Sequence, residues 1–218
     1  YEYSICELLN PTNCDTAVAT VVVEAAKIVA TDDTTSPING KEGGSSKVPV
    51  TTNDSLNNKP VDPADTNIAV KTPATPVDPA GGNSNVPTLD PSTGLVTVPP
   101  NTPAGSYPIE YTLCEKLNPT NCDNAIVTVV VRPAPIEALN DGFGSINGKT
   151  GATTDSVLAN DTLNGEKVVP AEVNLTPGNS PHSGLTMGAD GKIAVAPGTP
   201  AGSYTYPYTI CEVLNPTN

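Results

Sequence analysis

YTLCEKLNPTNCDNAIVTVVVR, residues 111–132, is the stretch on which the fold turns. The tetrapeptide Asn-Pro-Thr-Asn at 118–121 separates a Tyr-bearing run from a run rich in β-branched residues and short of charge, which is the composition of two strands around a turn. Paired as a hairpin with that tetrapeptide near its tip, the two runs place Cys114 opposite Cys122.

Self-similarity outranks residue-level detail, because a missed period gives the wrong fold. The stretch occurs three times, as YSICELLNPTNCD at 3–15, YTLCEKLNPTNCD at 111–123 and YTICEVLNPTN at 208–218, so the period is 108 residues and then 97. GLVTVPPNTPAGSY at 94–107 parallels GKIAVAPGTPAGSY at 191–204, and Ile38-Asn39-Gly40 parallels Ile146-Asn147-Gly148. A unit of about a hundred residues suits one β-sandwich domain. The registers divide the chain into residues 1–24, the closing hairpin of a preceding unit; 25–131, a complete unit; and 132–218, a unit lacking its last strand. The chain reads as a piece of a longer array.

Repetition also settles a helix-or-strand ambiguity. AVATVVVEAAKIVA at 17–30 could form an Ala-rich helix, but its counterpart at 125–138 carries Pro133 and Pro135, which a helix interior does not tolerate. Strand, linker, strand is the reading adopted.

Residues 204–211 alternate, with Tyr204, Tyr206, Tyr208 and Ile210 on one face and Thr205, Pro207, Thr209 and Cys211 on the other. The first face is the predicted core face; its counterparts are Tyr107, Ile109, Tyr111 and Leu113, and Tyr1, Tyr3 and Ile5. All seven Tyr residues lie on these three strands, so with no Trp and one Phe the remaining core is Val, Ile, Leu and Ala. Asn39-Gly40, Asn147-Gly148, Asn164-Gly165 and Asp190-Gly191 are predicted tight turns with positive φ, and Pro-Ala-Gly before Tyr107 and Tyr204 is a further turn.

Composition narrows the function. The net charge is −13 and no basic run occurs, which opposes binding to nucleic acid. The longest apolar stretch, residues 17–23, is far short of the ~20 residues that span a bilayer, so no membrane insertion is expected. No N-terminal signal peptide is recognisable, so an export signal is expected outside this segment.

Cys6 with Cys14, and Cys114 with Cys122, are expected to form structural disulfides that clamp their hairpins, each contributing roughly 2.5 kcal/mol on the chain-entropy model. Cys211 has its expected partner at the first position beyond Asn218 and is unpaired by truncation. Zinc would require four ligands per site, and a nucleophilic cysteine would require a recurring base; each repeat offers two Cys, and the single His182 does not recur. Disulfides imply an oxidising, extracellular setting.

The block Tyr-Thr-Ile-Cys-Glu-Val-Leu-Asn-Pro-Thr-Asn at 208–218, together with APGTPAGSY at 196–204 and SVLANDTLNG at 156–165, resembles the tandem repeats of very large Bacteroidota surface adhesins of the SprB-type gliding-motility kind. The resemblance covers essentially the whole chain. It implies an all-β fold of tandem immunoglobulin-like β-sandwich domains, Greek-key and antiparallel, in a filamentous cell-surface molecule. It also implies export by the type IX secretion machinery and propulsion by the gliding motor. One departure is a longer Pro-rich middle in the complete unit, residues 60–79, with Asp62, Asp65 and Asp78.

Candidate sites carry competing readings. Asp32-Asp33 stands in register with Asn140-Asp141, and Asn53-Asp54 with Asn160-Asp161. Calcium takes such oxygens, and cadherin-like repeats place Asn-Asp pairs near domain junctions, but Asx residues also cap turns locally, and the turn reading is preferred. No catalytic residue, cofactor-binding residue or metal ligand is assigned. His182, in Asn-Ser-Pro-His-Ser-Gly, reads as a loop residue. Asp15-Thr16-Ala17, Asp33-Thr34-Thr35, Asp54-Ser55-Leu56, Asp155-Ser156-Val157 and Asp161-Thr162-Leu163 look like the O-glycosylation sequons of that lineage.

The expected function is structural and adhesive, not enzymatic, with partners in neighbouring repeats, a surface polysaccharide or other substratum and, by resemblance, the gliding and secretion machinery. A carbohydrate-binding or spacer module of a secreted polysaccharide-degrading enzyme is one alternative. A strand-exchanging surface filament, in which residues 14–23 of one chain fill the gap of another, is the second.

Overall fold

The computed structural model describes residues 1–77 and 82–218, so Asp78 and Pro79 of the Pro-rich stretch lie outside the described residues. Regular structure among the described residues is strand and short 3-10 turns, and no helix is long and apolar enough to cross a membrane. The chain opens with a hairpin of β1 (Glu2–Cys6) and β2 (Cys14–Val18). Six short strands follow: β3 (Ile28–Val29), β4 (Asp33–Thr34), β5 (Ile38–Asn39), β6 (Gly44–Ser45), β7 (Ser55–Leu56) and β8 (Lys59–Pro60). Five further strands complete this half: β9 (Thr66–Thr72), β10 (Thr88–Leu89), β11 (Val96–Val98), β12 (Gly105–Glu115) and β13 (Cys122–Arg132).

One sheet runs β4-β13-β12-β9 with β5 also on β13, a second runs β10-β11-β6, and β3-β7-β8 forms a small third. Neighbours are antiparallel except β4 and β5, which lie parallel to β13. The chain leaves the first sheet after β9, enters the second through β10 and β11, and returns to the first as β12 and β13, so over this stretch the chain crosses between the two sheets twice. That is the Greek-key connectivity of an immunoglobulin-like sandwich, with the opening strands paired to the closing one.

The second half repeats the order with β14 (Ile136–Glu137), β15 (Ala152–Ser156), β16 (Thr162–Leu163), β17 (Glu166–Lys167), β18 (Val173–Pro177), β19 (Leu185–Met187), β20 (Lys192–Val195) and β21 (Tyr208–Glu212). β15-β20-β19 matches β6-β11-β10, β14-β16-β17 matches β3-β7-β8, and β18-β21 matches β9-β12.

Buried side chains form two clusters. In the first, Tyr107, Ile109, Tyr111 and Leu113 of β12 and Ala125, Val127, Val129 and Val131 of β13 face Leu89, Val96 and Val98 of the opposing sheet. Period-two alternation turns these residues inward, and each large side chain so buried contributes about 1.5–3 kcal/mol. The second cluster gathers Val157, Leu163, Val173, Leu185, Met187, Ile193 and Ile210, with Tyr204, Tyr206 and Tyr208 packed partly buried against it.

Three expectations are corrected. Tyr1, Tyr3 and Ile5 are exposed, at 95%, 50% and 67%, because among the described residues the β1–β2 hairpin pairs with no further strand. The strand expected from Tyr204 begins only at Tyr208, and β2 ends at Val18. The ladder that carries β12 back to Gly105 is made with β13, and among the described residues no strand pairs beside Tyr204, where an open groove of about 1160 Å³ is lined by Tyr204, Tyr206, Tyr208, Leu139 and Phe143. Finally, Asn39-Gly40 and Asn147-Gly148 do not take positive φ, whereas Asn164, Gly165 and Gly191 do. Gly40 and Gly148 answer a different need, since a Cβ on either would run into the carbonyl oxygen of Thr102 or Thr199.

Candidate functional site

The recurring hairpin is a clasp. β12 and β13 pair Cys114 with Cys122, whose sulfurs are bonded with Cα atoms 4.1 Å apart, and β1 and β2 do the same for Cys6 and Cys14 at 4.0 Å. Cys211 is half-buried and unpaired among the described residues. Beneath the bridge lies an arrangement that sequence reading left unassigned. The Glu115 carboxylate accepts the side-chain amides of Asn118 and Asn121 at 3.0 and 2.8 Å, and Asn121 also donates to the Ala26 carbonyl at 2.7 Å. Glu212 likewise takes Asn215 and Asn218 at 2.7 and 3.1 Å, and Asn218 reaches the Ala134 carbonyl. Hydrogen bonds led by Asn118 hold the Glu115 carboxyl below the usual carboxylate range. The signal was in the sequence: Glu-x-Leu-Asn-Pro-Thr-Asn stands at all three copies.

A second recurring cluster surrounds a tyrosine hydroxyl. Tyr111 Oη lies 3.1 Å from Asp33 Oδ2, 3.1 Å from Asp54 Oδ2, 3.3 Å from the Val50 carbonyl and 3.4 Å from that of Thr31. In the second half Tyr208 Oη meets Asp141 at 3.1 Å, Asp161 at 3.2 Å and the carbonyls of Leu139 and Val157 at 3.0 and 3.4 Å. The two acidic pairs recognised in the sequence are thus brought together, and they also cap backbone: Asp54 accepts Thr31 N–H, and Asp161 accepts Leu139 N–H, both at 2.8 Å.

A phenol carries one proton, so it satisfies one acceptor at a time while two carboxylates remain close together. Burial first, and then the Asp54 charge, push the Asp33 carboxyl up to about 6 against the lowering effect of the Tyr111 hydrogen bond. Burial raises Asp54 and Asp141 as well, and it lifts both phenols, with the neighbouring carboxylates adding to it. The cluster thus holds the Asp33 proton more tightly than an exposed carboxyl would. Among the described residues no group of three or more His, Cys, Asp or Glu could hold a metal ion.

The Pro-Ala-Gly turn is fastened by a tyrosine corner, in which Tyr107 Oη donates to the Pro103 carbonyl at 2.7 Å and Tyr204 Oη to that of Pro200 at 3.0 Å. His182 accepts Gly184 N–H through Nδ1 at 2.9 Å and packs on the Tyr204 ring with centroids 5.4 Å apart. Of the Asp-Ser/Thr motifs, Thr16 and Thr34 are exposed, while Ser55, Ser156 and Thr162 are half-buried.

The two halves meet through polar groups. Asn39 Nδ2 donates to Asn164 Oδ1 and Asn164 Nδ2 to Glu42 Oε1, both at 2.7 Å. Lys41 Nζ lies 2.6 Å from Glu172 Oε1, and Ala104 N–H donates to Asn215 Oδ1 at 2.6 Å.

No protein-family model matches the chain, and no curated protein matches it. Among solved structures it is similar to the protocadherin GammaB4 extracellular domain at 10% identity and TM-score 0.32, over 84% of this chain and 32% of that one. It is similar to human CDH23 EC21-23 at 14% identity and TM-score 0.37, over 80% of this chain and 59% of that one. It is also similar to the N-terminal eight Ig domains of Down Syndrome Cell Adhesion Molecule isoform 1.30.30, at 13% identity and TM-score 0.28, over 93% and 29%. The chain spans less than two thirds of the length of each.

Proposed function

We propose that the chain is a structural and adhesive segment of a long extracellular molecule built from tandem immunoglobulin-like units, divided as 1–24, 25–131 and 132–218. On the resemblance of its repeats, that molecule is a gliding-motility adhesin of the SprB type. The observation that carries this reading is the recurrence of one strand order in two halves that touch through the Asn39, Lys41 and Ala104 contacts, each half bearing the Glu-x-Leu-Asn-Pro-Thr-Asn motif. The disulfides favour an oxidising compartment, and the acidic surface keeps a long fibre from associating with itself. Attachment to a substratum then comes from many weak contacts multiplied by valency, with no reaction at any one unit.

Antibodies raised against the chain test this reading on unpermeabilised cells of the source bacterium. The expected result is surface labelling that travels along the cell and, when crosslinked, stops gliding; labelling only after permeabilisation would contradict it. A second reading is favoured by the groove beside Tyr204 and the exposed Val-rich residues 14–23, which match β13 in sequence: strand exchange between copies. It predicts thiol–disulfide exchange in which the Cys211 thiolate attacks Cys14 Sγ of another copy and releases Cys6 as a free thiol, giving Cys14–Cys211-linked dimers visible as doubled mass under non-reducing conditions.

A further inference from the structure

Each contact between the halves joins two landmarks, and every landmark has an in-register counterpart elsewhere in the chain. Asn39, Lys41 and Ala104 correspond to Asn147, Lys149 and Ala201, while Asn164, Glu172 and Asn215 correspond to Asn57, Asp65 and Asn118. The counterparts share local geometry. Asn57 and Asn164 have φ of 55° and 58°, and their N–H groups bond the carbonyls of Lys27 and Pro135 at 2.6 and 2.7 Å. Asn39 Oδ1 accepts Lys41 N–H at 3.0 Å, and Asn147 Oδ1 accepts Lys149 N–H at the same distance. Asn118 and Asn215 both give their amide to the clasp glutamate, which leaves Oδ1 to accept; Ala104 fills that role at Asn215, and no donor does at Asn118 among the described residues.

Exposure separates the two sets. Asn39 and Asn215 are buried, and Lys41, Ala104, Asn164 and Glu172 are half-buried; of their counterparts Asn57, Asp65, Asn147, Lys149 and Ala201 are exposed and Asn118 is half-buried. We propose that Asn57, Asp65 and Asn118 form one half of the same joint and Asn147, Lys149 and Ala201 the other, and that each half takes a further unit of this repeat. The proposal rests on the tandem-array reading and adds its register: the lysine meets the acid, the Pro-Ala-Gly amide meets the first Asn of Asn-Pro-Thr-Asn, and the two turn asparagines meet each other. One contact is lost, because Thr150 stands where Glu42 would accept.

Two copies of the chain suffice for the test. A ¹⁵N-labelled chain is titrated with unlabelled chain at low ionic strength, where a single ion pair is least screened. The expected result is a concentration-dependent shift of the Ala201 amide and of the Asn57, Asn118 and Asn147 side-chain amides. The shifts should collapse in Lys149→Glu alone and in Asp65→Lys alone, and return when the two variants are mixed, since the mixture restores an opposite-charge pair at both possible contacts. Shifts that survive either single variant, that fail to return in the mixture, or that are absent throughout overturn the joint. The adhesin reading would stand apart from that result, because it is tested by where the protein is found on cells.

Discussion

At the scale of the residue, Tyr111 and Asp33 make the sharpest claims. The Asp33 carboxyl, pushed up to about 6 from an ordinary value of 3.8, holds its proton more tightly in the folded chain than in the unfolded one. Its ionisation therefore opposes folding: its contribution is most favourable below pH about 4 and is lost as pH rises through about 6. Glu7, Glu110 and Glu115, held low by hydrogen bonds, act with the opposite sign, losing stability as pH falls through their lowered values. The reading is thus a difference. Between pH 4 and 7 the melting temperature of Asp33→Asn should gain steadily on that of the unsubstituted chain, and parallel curves would remove Asp33 from the account. Removing hydroxyls gives a second check. Tyr111→Phe leaves Asp33 and Asp54 without their shared donor and should cost about 1–3 kcal/mol in urea melts, while Tyr107→Phe, losing one bond to the Pro103 carbonyl, should cost nearer 1 kcal/mol. The Asn-Asp pairs were visible in the sequence, but their convergence on a tyrosine some sixty to eighty positions away was not, because it depends on how β4 and the turn after Val50 pack under β12.

At the scale of the element, the clasp hairpin was readable because its evidence is local: alternation, a Pro-containing turn and paired cysteines within a short span. Closing a loop with a sequence separation of 8 contributes roughly 2.5 kcal/mol, so Cys114→Ser with Cys122→Ser should lower unfolding free energy by about that amount without altering strand content in circular dichroism. An unchanged unfolding midpoint would show the bridge to be mechanically idle. What the sequence could not supply was where strands stop. Tyr204 and Tyr206 carry the same alternation as Tyr107 and Ile109, yet only the latter pair sits in a ladder, because β13 lies alongside. Likewise Asn39-Gly40 looks like a tight turn, and its glycine is instead required by the approach of the Thr102 carbonyl, a neighbour far along the chain.

At the scale of the whole molecule, the repeat period proposes the division into units, and the polar contacts between the two halves say how those proposed units would be joined. Lys41→Ala with Glu172→Ala should broaden the distance distribution between spin labels placed one in each half, leaving the unfolding free energy within about 1 kcal/mol of its original value. An unbroadened distribution would show that the linker alone fixes the angle. The central claim is that the 25–131 unit is a mechanical bead whose hairpin is locked by the Cys114–Cys122 disulfide. Single-molecule extension of the chain tests it most directly. The account predicts one sharp unfolding event releasing about 30–35 nm of contour for the 25–131 unit, lengthening by about 3 nm once the Cys114–Cys122 bridge is reduced. Smooth extension without a force peak, or a release unchanged by reductant, would contradict it.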